Sequence, residues 1–114
     1  MNPGFKKPLE EFLREGDEDY IGLWQIIGRV STVLNLDERK LTISDTDKLW
    51  RGIQEFITLM LNNGFEAVDL APEGKCKAWP DQNPAAVIAE IKKLWIERKG
   101  DVGSDIWFHK LPTA

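Results

Sequence analysis

DTDKLWRGIQEFITLMLNNGFEAVDLAPEGKCKAW, residues 45–79, is the stretch whose reading decides the fold. Within it Leu49, Trp50, Ile53, Phe56, Ile57, Met60 and Leu61 fall on one broad apolar face of a helical repeat, wide enough for a core helix. Ser44 precedes the helix with Asp47 three residues on, so a side-chain oxygen can accept from the first-turn amides, and Asp45 and Asp47 suit the positive end of the helix dipole. Asn62, Asn63 and Gly64 supply the stop, because Asn and Gly tolerate the left-handed backbone that closes a helix. Phe65 to Ala71 then reads as a strand, Pro72-Glu73-Gly74 as a turn, and Lys75 to Trp79 as an antiparallel return or a loop that carries Trp79 inward.

Working outward, Pro3, Gly4 and Pro8 mark residues 1–8 as a flexible start, and PLEEFLREG forms a short helix docked by Phe5, Leu9, Phe12 and Leu13. EDYIGLWQIIGRVSTVLN places Tyr20, Leu23, Trp24, Ile27, Val30 and Leu34 at helical spacing, with Asp17, Glu18 and Asp19 at the helix N-terminus. Gly22 and Gly28 inside it predict a close helix crossing. Leu41-Thr42-Ile43 reads as a short strand. Asn83 and Pro84 open a last helix whose apolar side carries Val87, Ile88, Ile91, Leu94 and Trp95 and which ends at Gly100; DIWFHK, residues 105–110, closes the sheet. The expectation is a mainly helical α+β single domain of three to four helices packed with a small antiparallel sheet or β-ribbon, winged-helix-like in layout. Its parts are the flexible start (1–8), an acidic helical part (9–34), a helix plus ribbon (41–79) and a helix plus final strand (84–110).

Composition narrows the function. The chain has 114 residues, 42% of them apolar, with five Trp and five Phe, enough for one core. No apolar run approaches membrane-spanning length, and MNPGFKKPLEEFL has no secretory h-region, so the expected location is the cytoplasm with no membrane partner. The net charge of −4 is concentrated early: residues 1–38 hold Glu10, Glu11, Glu15, Asp17, Glu18, Asp19, Asp37 and Glu38 against Lys6, Lys7, Arg14 and Arg29. Such a field repels nucleic acid and speeds encounter with a basic protein. It also keeps a surface solvated.

Residues that would carry a reaction are absent. His109 is the only histidine, Cys76 the only cysteine, Glu10 and Glu11 point in different directions on a helix, and Asp45-Thr46-Asp47 is accounted for by capping. The expectation is therefore no catalytic residue, no metal and no cofactor. A winged-helix DNA regulator would have to use Lys48, Arg51, Lys75 and Lys77, amid Glu66, Asp69 and Glu73, which makes nucleic acid a poor partner. Trp24, Trp50 and Trp95 read as core, whereas Trp79 and Trp107, in less regular surroundings, are placed for partial exposure at an interface.

The helix LWRGIQEFITLMLNNG leading into a ribbon, the PEGK turn, the helix ending near Trp95 and the closing Trp107, Phe108 and Pro112 give residues 45–112 a layout similar to a family of short bacterial proteins. The whole chain resembles the small acidic immunity proteins of polymorphic or contact-dependent growth-inhibition toxin systems. The resemblance implies a non-enzymatic cytoplasmic binder that neutralises a cognate toxin, often a nuclease, by direct contact. The acidic arm of Glu10, Glu11, Glu15, Asp17, Glu18 and Asp19, with Trp79 and Trp107, is the expected partner-binding set. An adaptor or subunit of another complex is the alternative, beside the DNA regulator.

Overall fold

The computed structural model describes residues 2–70, 76–99 and 105–112. They form a mainly helical α+β fold with a small antiparallel sheet. A 3-10 turn, Pro3–Phe5, leads into α1 (Lys6–Glu15), then β1 (Ile21–Gly22), α2 (Leu23–Val33), α3 (Ile43–Asn62), β2 (Phe65–Leu70), β3 (Cys76–Ala78), α4 (Pro84–Glu97) and β4 (Trp107–Lys110).

The organising helix is α3, and its stripe of Leu49, Ile53, Phe56, Ile57 and Met60 is buried as its periodicity predicts. Its cap lies two residues earlier than expected. The Thr42 side chain accepts from the Asp45 amide at 3.0 Å while the Asp45 carboxylate accepts from the Thr42 amide, so Leu41-Thr42-Ile43 is helix entry and not a strand. The same capping chemistry is served better by Thr42, because Ile43 has no strand partner to hold it extended. Thr42→Ala is expected to lower stability by about 1 kcal/mol in a urea melt. Asn63 and Gly64, the latter at φ +93°, end the helix, and Leu111 donates to the Gly64 carbonyl at 2.7 Å.

The chain start is docked rather than flexible. Asn2 donates its amide to Glu55 and caps the 3-10 turn, and Phe5 is fully buried. Its ring meets Phe56 edge to face at 5.4 Å, and Phe12 meets Phe56 the same way at 5.6 Å. Apolar burial of this bulky side chain outweighs the disorder that proline and glycine favour.

A further departure lies at residues 17–22. Asp17, Glu18 and Asp19 follow α1 as a turn and do not head a helix; Ile21 and Gly22 are a strand paired with Phe108 and Trp107. Helix α2 starts only at Leu23, where the Gln25 side chain bonds back to the Gly22 amide. Its buried residues are Leu23, Ile26, Val30 and Ser31, so Trp24 faces away from the core and is 57% exposed, contrary to the core position expected for it.

β4 lies between β1 and β2, giving the order β1-β4-β2-β3, all antiparallel. The ribbon of β2 and β3 is therefore part of the sheet: β2 pairs with β4 from Phe65↔Lys110 to Val68↔Trp107. The return strand is present as Cys76–Ala78, and its predicted turn at Pro72–Gly74 lies outside the described residues, as does Gly100. Beyond β3, the Gln82 amide bonds both backbone groups of Ala67 and holds the loop carrying Trp79 against the sheet. Strand alternation puts Ile21, Phe65, Ala67 and Phe108 in the core under the helices. The opposite face carries Gly22, Glu66, Val68, Leu70, Trp107, His109, Cys76 and Ala78.

Candidate functional site

The outer sheet face gathers the chain's only tyrosine, histidine and cysteine. Glu66 on β2 stands opposite His109 on β4, and the imidazole Nδ1 lies 3.4 Å from the Glu66 carboxylate. Tyr20, entering β1, sets its ring 5.3 Å from that of His109. Trp107 and Gly22 are directly paired. A Cβ on Gly22 would stand 2.7 Å from Trp24 Nε1 and 3.3 Å from Trp107 Cζ3, so the missing side chain is what lets two indoles converge on the strand. This is a close approach of side chains, not the helix crossing expected for Gly22. Val68 beneath this face is buried, while Leu70, Trp107, His109 and Cys76 remain partly or well exposed.

The Tyr20 hydroxyl is held above its ordinary value of 10.0, first by a hydrogen bond with the Cys76 side chain, then by burial and by the negative charge of Cys76 and Asp19. The neutral phenol is the form the fold favours, so its contribution to stability is complete below 10.0 and is lost as pH rises through the folded-state value. Because this is the sole tyrosine, phenolate absorbance reports it alone: the midpoint should lie above 10.0, and Cys76→Ala should move it down toward 10.0. An unchanged midpoint in the variant would remove the Tyr20–Cys76 contact as the cause.

The predicted partner-binding residues divide into three groups. Glu15, Asp17, Glu18 and Asp19 lie in the segment that runs directly into Tyr20, and its Gly16 sits against Lys110 and Phe65. Within that segment Lys110 Nζ is 2.6 Å from Asp17 and also donates to the Leu13 carbonyl, and Asp19 accepts from the Tyr20 amide. The Glu15 and Glu18 side chains have no ion pair with a described residue, and both are exposed. Glu10 is exposed on α1, but Glu11 is tied to Arg29 of α2. Trp107 belongs to the outer face. Trp79 does not: its Nε1 donates to Asp69 at 3.0 Å, and it lines a separate cavity of about 570 Å³ with Glu90, Leu94 and Arg98. Tyr20, Trp24, Glu66 and His109 are the site residues that the sequence reading missed, although alternation in DIWFHK already places Trp107 and His109 on one face.

A second surface lies between α3 and α4, where an apolar groove of about 430 Å³ is lined by Leu41, Ile43, Trp50, Trp95 and Ile96. Trp50 and Trp95 meet edge to face at 5.7 Å and are only partly buried, while Ile43 is 93% and Ile96 69% exposed. Of the cations that a DNA reader would use, Arg51 pairs with Asp47 on its own helix, Lys48 and Lys77 are exposed, and Lys75 lies outside the described residues. No cluster of three or more metal-ligating side chains stands among the described residues, and no described helix is long and apolar enough to cross a membrane. No protein-family model, curated protein or solved structure matches the chain.

Proposed function

We propose that this chain is a non-enzymatic protein-binding module that neutralises a basic bacterial toxin in the cytoplasm by direct contact. The observation that carries the reading is the union of an aromatic sheet face, Tyr20, Trp24 and Trp107, with an acidic turn that leads in sequence into Tyr20 and whose Glu15 and Glu18 are exposed and unpaired with any described cation. Large rigid rings give contact area at little entropic cost, and the carboxylates raise the encounter rate with a cationic surface. The resemblance of the sequence to small acidic immunity proteins is what suggests a toxin as the partner.

The test begins with native isolation of the tagged chain from its own source and identification of any stoichiometric copurifying protein. A basic protein whose toxic activity is suppressed by an equimolar amount of this chain supports the reading. Its association should slow when Glu15 and Glu18 are changed to lysine, more so at low salt than at high salt. Copurification with nucleic acid, or a partner whose association ignores both the reversal and the salt, would overturn it.

A further inference from the structure

Resting on that reading, we infer that the surface where Trp24 and Trp107 converge over Gly22, with Glu66 on β2 and Tyr20 beside it, receives an arginine side chain of the partner. Trp24 seats its Nε1–Cδ1 edge over Gly22 and is 57% exposed. Trp107 converges on the same point from β4. Glu66 lies diagonally across the β2–β4 pairing from Trp107, within reach of a long side chain laid on the rings. Its described partner is His109 at 3.4 Å, a long contact that leaves the carboxylate with acceptor capacity in a half-buried setting.

An apolar partner segment would strand that carboxylate, whereas a cation answers both the ring faces and the charge. Guanidinium fits better than ammonium because it is planar, stacks on indole and bonds a carboxylate through two N–H groups. Lys110, the cation next to His109 on β4, is already committed to Asp17 and the Leu13 carbonyl.

The probes are an acetylated, amidated tetra-arginine peptide and its tetra-lysine counterpart, titrated into the intact chain with indole N–H signals followed by NMR. The arginine peptide should shift the Trp24 and Trp107 signals and bind several-fold tighter than the lysine peptide. Trp24→Ala, at an exposed position, and Glu66→Gln, which keeps the side-chain shape, should each weaken arginine binding about two- to fivefold and shrink the difference between the peptides. Equal affinity for the two peptides, or binding that ignores both variants, would overturn the arginine site. A native partner that binds Trp24→Ala as tightly as the parent chain would also overturn the arginine site while leaving the protein-binding function standing. Arginine-specific binding at the rings without any basic partner in the native isolate would do the reverse.

Discussion

Phe56→Ala should cost about 3–5 kcal/mol, a large share of the roughly 5–15 kcal/mol that holds a domain of this size together. Phe56 is fully buried within α3, and its ring makes T-shaped contacts with Phe5 and Phe12 at 5.4 and 5.6 Å. Truncation would remove the shared partner of the chain start and of α1 as well as open a cavity. A urea melt followed by tryptophan fluorescence should show the midpoint fall sharply, and amide exchange at residues 3–12 should accelerate toward that of exposed backbone. A loss below about 1 kcal/mol would mean that the start of the chain is not part of the core.

The second large effect distinguishes two glycines that a sequence alone does not separate. The close crossing expected at Gly28 occurs at Gly52, on α3: a Cβ there would lie 2.7 Å from Val30 Cγ1 and 2.9 Å from Leu34 Cδ1 of the α2 segment. Val30 is fully buried and stiff at its branched carbon, so it cannot swing aside. Gly52→Val should therefore destabilise by about 1–3 kcal/mol or more through overpacking and separation of the helices. At Gly28 a Cβ would meet nothing within 4 Å, and Gly28→Ala should stabilise by about 0.5–1 kcal/mol through helix propensity alone. Thermal melts of the two variants should move in opposite directions. Equal shifts of the same sign would contradict the packing described between α2 and α3.

These cases show what could be read from residue order. The stripe on α3, the Asn83-Pro84 start of α4 and the alternation of β2 and β4 are local patterns, and each appears in the fold. What escaped was decided by distant residues. Tyr20 and Trp24 match a helical stripe that begins at residue 17, but pairing of Ile21 and Gly22 with β4, nearly ninety residues later (about 86), interrupts that helix and turns Trp24 outward. Leu41-Thr42-Ile43 has strand-forming side chains but no strand beside it, and the capping bonds with Asp45 decide its conformation. The acidic turn was legible as charge. Its place beside an aromatic sheet face depended on β4 lying between β1 and β2, which no local pattern specifies.

Hydrogen exchange on the chain, free and in the complex isolated natively with its copurifying protein, tests the central claim most directly. The outer face predicts slower exchange on binding at residues 19–24, 66–70 and 107–109, with the α3–α4 groove unchanged. Protection confined to residues 41–53 and 92–96, around Ile43, Trp50 and Trp95, would show that the apolar groove is the binding surface and would contradict the assignment to the sheet face.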